Sequence, residues 1–248
     1  MKTSNKLLVA LGVGIFLLVG LLQLVLYSNY RQGLVISAKE LHTENYIRYK
    51  MAAPSYLCLS GTLWVNIIPS DTFYVELPKE NKLTGALSYR QSGDTLLITG
   101  NNDVLIHRPF VDWSYRTNQT QVNIYCRGLK EIFLTKGQLY LHGAGVQTTL
   151  PSTKLYIDSS TLWIGDYKEY AEQPAAKEFF DSLDIRSVNS VLLINSCAAI
   201  HKLQAQLDDH SELNDRQALI DSLTVRYGHD SRVGLTGANL KKAILAAH

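Results

Sequence analysis

The chain opens with an apolar run from Leu7 to Tyr27, in which Gln23 is the single strongly polar side chain. A helix over residues 7–27 rises about 1.5 Å per residue, so it can cross the roughly 30 Å of bilayer hydrocarbon. Backbone groups in hydrocarbon need partners within their own segment, and a single segment finds them only as a helix. The sequence therefore predicts one transmembrane helix at residues 7–27, after a short cytoplasmic tail at residues 1–6.

A removable secretory signal is the alternative reading of this run, but such a signal usually has an apolar core of only about 7–15 residues. The residues that end the run, Leu24 to Tyr30, contain neither an Ala-x-Ala cleavage site nor a cysteine that could accept a lipid. Lys2 and Lys6 precede the run and favour an N-terminus in the cytoplasm. We therefore expect an uncleaved signal-anchor that holds the rest of the chain outside the cytoplasm.

Composition excludes several functional classes. The formal net charge is +2 and no cluster of Lys and Arg occurs, so the electrostatic requirement for nucleic-acid binding is not met. The three cysteines, Cys58, Cys126 and Cys197, are far apart in apolar runs and form no Cys-x-x-Cys pair. We expect them to be small buried residues within strands rather than zinc ligands or a redox pair, and we expect no cofactor. One disulfide among them stays open, because the predicted compartment is oxidising.

From Tyr56 onward the chain alternates apolar and polar residues in short runs that are broken by Gly, Asn, Asp and Ser, which is typical of β-strands. The apolar positions are Leu57, Leu59, Leu63, Val65, Ile67, Phe73, Val75, Leu77, Leu96, Ile98, Val104, Ile106, Val122, Ile124, Cys126, Ile132, Leu134, Leu139, Leu141, Leu155, Ile157, Leu162 and Ile164. One exception lies between Lys168 and Phe180, where Pro174 suits the first turn of a short helix.

The last third of the chain repeats itself at intervals of about twenty residues. The segments Ser182–Ile185, Lys202–Ala205 and Ser222–Val225 align in steps of twenty, and each carries an apolar-x-apolar pair. Ser190, Ser211 and Ser231 follow in steps of twenty-one and twenty, and an earlier, less similar copy runs from Lys154 to Leu162. A period near twenty is typical of stacked repeats in which each unit rests on its neighbour.

This pattern predicts an all-β solenoid with two short parallel strands in each coil and a serine at a corner, where its hydroxyl can bind nearby backbone groups. The Leu-x-x-Leu-x-Leu pattern of leucine-rich repeats is absent from the sequence. An antiparallel β-sandwich would explain the alternation but not the register of twenty, and it stays the alternative fold.

Four segments in this order resemble a known family: residues 64–71 with 73–76, residues 92–98, residues 121–125, and the serine-bearing coils. The chain is similar there to the putative auto-transporter adhesin, head GIN domain family of Bacteroidetes-type bacteria. The resemblance covers roughly residues 56–241 and implies a right-handed parallel β-helix that is exported across the inner membrane. It implies no catalytic residues. We expect a connector at residues 28–55 and the solenoid domain at residues 56–248.

Two groups of residues are candidates for a site. Asp209 and His210 precede His229 and Asp230 by one repeat, so carboxylates and imidazoles that bind metals could meet at successive corners. A second group surrounds an aromatic and basic segment with Arg108, Phe110 and Trp113, which could contact a sugar or a peptide. A solvated polar corner and a turn that covers the core are the ordinary explanations of the two groups.

Motifs for serine nucleophiles, zinc proteases or phosphate binding are absent from the sequence. We therefore expect a structural, adhesion or interaction module in the periplasm, held by the inner membrane, with an envelope protein or a glycan as its partner. The alternative is an enzyme acting on extracytoplasmic polysaccharide, which a cleft with two carboxylates about 5–10 Å apart would favour.

Overall fold

The computed structural model describes residues 3–31, 46–61, 63–78, 87–100, 121–145, 152–166 and 177–247. The predicted N-terminal helix is present as α1 (Thr3–Arg31). Its apolar window, Leu11–Ser28, is the one stretch among these residues that is long and apolar enough to cross a membrane. None of that window is covered by the rest of the chain, as a helix surrounded by lipid requires.

The remaining described residues are mostly β, as the alternation predicted. The elements in chain order are β1 (Tyr46–Tyr49), β2 (Tyr56–Ser60), β3 (Trp64–Pro69), β4 (Tyr74–Pro78), β5 (Leu87–Ser92), β6 (Thr95–Gly100), β7 (Gln121–Cys126), β8 (Glu131–Thr135), β9 (Gln138–Leu141), β10 (Thr153–Asp158), β11 (Thr161–Ile164), β12 (Glu178–Val188), β13 (Val191–Ile194), β14 (Ala198–Asp208), β15 (Glu212–Asn214), β16 (Leu219–Tyr227), β17 (Arg232–Gly234), α2 (Gly237–Lys242) and β18 (Ile244–Ala247). Strand β1 lies inside the predicted connector and pairs with β4.

These strands form two mixed sheets of nine strands each within the described ranges. Sheet A has the order β1-β4-β7-β3-β9-β11-β13-β15-β17, and sheet B has the order β18-β16-β14-β12-β10-β8-β2-β6-β5. Three of their pairs are antiparallel, namely β1–β4, β4–β7 and β5–β6, and all three lie at the same end of the sheets. The other pairs are parallel.

The parallel register follows the predicted repeat. In sheet B, Leu183 pairs with Leu203, which in turn pairs with Leu223. In sheet A, Leu213 pairs with Leu192 on one side and Val233 on the other. The steps of twenty and twenty-one are therefore confirmed. The earlier copy joins the same ladders at a longer interval, because Leu155 pairs with Ile185 across thirty residues.

Both sheets turn one face towards a single apolar core. Inward positions from sheet B, such as Leu57 and Leu203, and from sheet A, such as Val65 and Leu192, belong to one buried cluster. Parallel in-register strands place equal positions on top of each other, so each ladder buries a continuous row of aliphatic side chains. Val104 and Ile106, which were predicted to continue the pattern, lie outside the described residues.

Buried serines at one corner of the sheets fix the register. Three serine hydroxyls donate to the carbonyl oxygen of a residue two or three positions earlier, each at a distance of 2.6 Å: Ser160 to Asp158, Ser190 to Val188, and Ser211 to Asp208. The serine hydroxyl oxygens also accept hydrogen bonds from neighbouring turns: the N–H of Gly137 donates to Oγ of Ser160 (3.0 Å), and the N–H of Ser160 donates to Oγ of Ser190 (3.1 Å). The predicted serine corner is confirmed, and each hydroxyl replaces the water that a buried turn would lose.

Two local predictions were wrong. Glu178, Phe179 and Phe180 begin β12 instead of ending a helical turn, because Phe179 and Phe180 pair with Ala199 and Ile200. Residues 168–176 of that predicted turn lie outside the described residues. Cys197 lies in the turn before β14 rather than in a strand. All three cysteines are free thiols, and Cys126 and Cys197 are buried as expected.

Candidate functional site

The described part of the chain carries a groove on the outer face of sheet B. In β12, β14 and β16 the inward residues Phe180, Ile200 and Ile220 are followed by two residues before the next inward leucine, where regular alternation allows one. The alternation therefore breaks at the same level in all three strands, and the register of the ladders omits Asp181, His201 and Asp221 there. The side chains of these three residues line the outer face of the sheet at this level.

A groove of about 350 Å³ lies at this level. Its lining consists of Lys177, Phe179, Phe180, Asp181, Ala199, Ile200, His201, Leu219 and Asp221. An apolar row is formed by Phe179, Ala199 and Leu219, which pair in register. Leu219 leaves 48% of its surface exposed at one end of this row.

Beside the apolar row runs a row of polar side chains. The Nδ1 atom of His201 lies 3.3 Å from Oδ2 of Asp221, and both side chains are 70% exposed. Asp181 occupies the equivalent position in the preceding strand β12, twenty residues before His201. An exposed pair of this kind adds little to stability, and these side chains keep unused donors and acceptors for a ligand. Together the rows offer hydrogen bonds on one side and apolar contact on the other.

A second cluster of polar residues surrounds the partly buried carboxylate of Glu178, at the corner opposite the serines. Its oxygens accept from the backbone N–H of Gly143 (2.7 Å) and of Asp166 (3.1 Å), and Nδ1 of His142 lies 3.7 Å away. Gly143 is required here, because a side chain on it would collide with the backbone of Glu178 and Phe179. Glu178 thus ties the chain after β9 and the chain after β11 to the start of β12.

Burial by itself would raise the pKa of Glu178, but the nearby imidazole of His142 and the backbone N–H of Gly143 and Asp166 outweigh it and lower the pKa. A carboxylate whose pKa is lower in the folded than in the unfolded chain stabilises the fold above its unfolded pKa, and the stabilisation disappears as the pH falls through the folded pKa.

We expect Glu178→Gln to lower the free energy of unfolding by about 1–3 kcal/mol at pH 7, because an amide cannot accept both backbone N–H bonds through equivalent oxygens. The loss should shrink as the pH is lowered through the acidic range in which Glu178 becomes protonated. Urea unfolding of the full chain at several pH values measures it. Glu212→Gln, on the outer face of sheet A, is the control and should show no such trend. A pH-independent loss for Glu178→Gln would contradict the assignment.

The metal candidates occupy two neighbouring corners, as predicted. Asp209 and His210 follow β14, and His229 and Asp230 follow β16. Nδ1 of His229 lies 3.1 Å from Oδ1 of Asp230, and the His229 side chain is 99% exposed. The hydrogen bond from His229 lowers the pKa of Asp230, and the charge of His210 adds to this effect. Within the described ranges, no three His, Cys, Asp or Glu side chains are arranged to hold a metal ion. These four residues stay candidates only, and the solvated polar corner stays the expected explanation of them.

The three candidates for contact with a sugar or a peptide, Arg108, Phe110 and Trp113, lie outside the described residues. The cysteines lack the properties of nucleophiles. Burial raises the pKa of Cys126 to about 12 and also raises the pKa of Cys58 and Cys197. A thiol with a raised pKa stays protonated near neutral pH, and the thiolate is the reactive form.

The outer face of sheet A carries a row of aromatic side chains that the sequence analysis did not single out. The rings of Trp64, Tyr140 and Trp163 follow one another at centroid distances of 5.5 and 5.6 Å. The guanidinium of Arg216 lies over the ring of Trp163, 5.0 Å from its centroid. Because the faces of these rings are used against one another, we interpret the row as stabilising the sheet rather than as a binding platform.

Comparisons with known proteins give distant similarities. The chain matches no family model and no curated protein. Among solved structures it is similar to a putative adhesin of Parabacteroides merdae, with 9% identity and a TM-score of 0.34 over 82% of this chain and 95% of that one. A putative lipid binding protein of Parabacteroides distasonis has 10% identity and a TM-score of 0.34, over 82% of this chain and 93% of that one. A putative adhesin of Bacteroides fragilis has 8% identity and a TM-score of 0.33, over 82% of this chain and 94% of that one.

Similarities of this strength do not establish a shared fold or a shared activity. All three proteins come from Bacteroidetes, and two of them are described as putative adhesins. No family model supports the head GIN family itself, so that assignment stays a prediction.

Proposed function

We propose that this chain is a single-pass inner-membrane protein whose residues 56–248 form a right-handed parallel β-solenoid in the periplasm and bind a glycan of the envelope without cleaving it. The single observation that carries the proposal is the groove, which lines up hydrogen-bonding and apolar rows on three successive coils. In this proposal residues 1–6 are cytoplasmic, residues 7–27 cross the membrane and residues 28–55 connect the helix to the domain.

The solenoid is supported by the strand pairing. Successive strands along the chain alternate between the two sheets from β8 to β18, apart from α2, and each pairs in parallel with the equivalent strand of the next coil. A two-sheet arrangement with one shared core also fits a sandwich, but a purely antiparallel sandwich would not give parallel ladders in steps of about twenty. Nearly all parallel crossover connections are right-handed, which supports the proposed hand.

A glycan is favoured because of the chemistry of the groove. Lys177 can donate to hydroxyl groups, Asp181 and Asp221 can accept from them, and the imidazole of His201 can do either. The apolar row beside them suits the C–H faces of sugar rings. The two rows run along the stacking direction, where neighbouring strands repeat at about 4.8 Å, so an extended polymer can contact three coils at once.

Hydrolysis of the glycan is the second candidate function, because Asp181 and Asp221 stand two strands apart, which corresponds to about 10 Å between backbones. Two carboxylates near this separation recur in inverting glycosidases. However, the 70% exposure of Asp221 leaves its carboxylate solvated, whereas a general acid is usually desolvated by its pocket. This difference favours binding.

The full chain reconstituted in lipid vesicles tests the proposal. We expect it to float with the vesicles, to retain envelope polysaccharide, and to release no new reducing ends. His201→Ala combined with Asp221→Ala should weaken retention about tenfold or more, because two polar contacts are lost. Arg232→Ala, exposed on sheet A, is the matched control. If the double variant retained the polysaccharide as well as wild type does, the groove would not be the binding site. If wild type released sugar and the double variant did not, the enzyme function would be favoured.

A further inference from the structure

Gln23 is the one side chain in α1 that the proposed membrane position leaves unexplained. It lies within the apolar window Leu11–Ser28, about 5 Å from its middle along the helix axis. Its side chain is exposed and no hydrogen bond to it occurs within the described residues. In hydrocarbon an amide without a partner is costly, and polar residues inside membranes usually face another polypeptide.

A partner for this amide is not found within the described chain, since α1 is the one helix there that could span a membrane. The Gln side chain carries both a donor and an acceptor. Two identical helices that lie parallel can therefore exchange a pair of amide hydrogen bonds across a twofold axis, because each Gln23 offers what the other needs.

The face that contains Gln23 is suited to close contact with a second helix. Gly12, Phe16, Val19 and Gln23 follow each other at spacings of four, three and four residues, which places them in one stripe of a left-handed helix pair. A Cβ atom added to Gly12, or to Gly20 beside the stripe, would meet no atom within 4 Å. These glycines leave room for the backbone of a partner to approach.

We propose that α1 pairs in parallel with α1 of a second copy of this chain through the stripe centred on Gln23. The inference rests on the proposed membrane anchoring. Two copies joined in this way hold two glycan grooves on the same side of one membrane. Binding of the second groove to the same polymer then becomes intramolecular, so the pair retains the polymer more strongly than two separate copies do.

Energy transfer between copies labelled with donor and acceptor dyes, reconstituted as full chains in vesicles, tests this pairing. Gln23→Leu should weaken association about three- to thirtyfold, and Gln23→Asn should retain most of it, because asparagine keeps the amide. Leu21→Ala, on the opposite side of the helix, is the matched control and should leave energy transfer unchanged.

Vesicle flotation of each variant separates the two proposals. If wild-type protein fails to float with the vesicles, the anchoring itself is wrong. If it floats but shows no energy transfer above that of an unrelated anchored protein, or if Gln23→Leu associates as well as wild type, the pairing through Gln23 is wrong.

Discussion

Leu223→Asp is expected to unfold the β-domain at room temperature. Leu223 is 1% exposed and continues the row formed by Leu183 and Leu203, so its replacement places a carboxylate in the shared core. Among the residues that the structure describes, none of the buried side chains is a lysine or an arginine. Burial of an unpaired charge together with the loss of a leucine costs about 5 kcal/mol or more. This is comparable to the whole stability of many domains. Thermal unfolding followed by circular dichroism measures the effect.

Ser222→Asp is the matched control for this change. Ser222 is the preceding residue of the same strand, is exposed, and pairs with Lys202. The same charge added there should alter the midpoint of unfolding by no more than a few degrees. If Leu223→Asp unfolded at the wild-type temperature, Leu223 would not lie in the core and the assigned register would be wrong.

The second large effect is expected for Asp215→Ala, which removes the centre of a buried network at the C-terminal end of the sheets. Asp215 is fully buried, and its Oδ2 accepts from the N–H and the hydroxyl of Thr236 (2.9 and 3.0 Å) and from the amide of Asn239 (2.8 Å). These bonds hold α2 across the end of β16. Loss of a charged acceptor that leaves buried donors without a partner costs about 3 kcal/mol or more. Urea unfolding of the full chain measures the loss.

Asp184→Ala removes an aspartate from an exposed position in β12 and should cost less than about 0.5 kcal/mol. Asp215→Asn tests the charge separately, since the amide fits the space but accepts through one oxygen alone. We expect it to retain part of the stability. Equal effects of Asp184→Ala and Asp215→Ala would show that the network does not hold the end of the domain.

The strand register in the C-terminal half of the fold was predictable because its sequence repeats have nearly constant length. Leu203 and Leu223 stand twenty residues apart in the sequence and pair in the structure, so spacing alone gives the register. The N-terminal half was not predictable in this way. Strand β2 pairs with β8, and Tyr56 meets Glu131 across seventy-five residues, while β6 pairs with β2 on its other side. No period in the sequence indicates that β2 lies between β6 and β8, two strands that come later in the chain.

The candidate groove was partly visible in the sequence. Asp181, His201 and Asp221 recur in steps of twenty, one residue before the repeat segments that the sequence analysis aligned. The period of twenty places these three side chains in neighbouring strands, but it does not show that a groove forms around them, because the groove also depends on how the strands pack. The sequence gives no indication of the role of Glu178. Its partners are mainly backbone N–H groups from distant turns, and nearly every residue type has such a group.

Disulfide cross-linking across β12 and β14 tests the stacked register most directly. Asp184 pairs with Gln204 on the exposed face of sheet B, and in-register neighbours stand about 4.8 Å apart, within the range a disulfide spans. In a Cys58→Ser background we expect Asp184→Cys with Gln204→Cys to oxidise rapidly and to raise the midpoint of unfolding, and Asp184→Cys with Gln206→Cys to oxidise much more slowly. Preferential cross-linking of the offset pair, or of neither pair, would contradict the proposal that coils of about twenty residues stack in parallel.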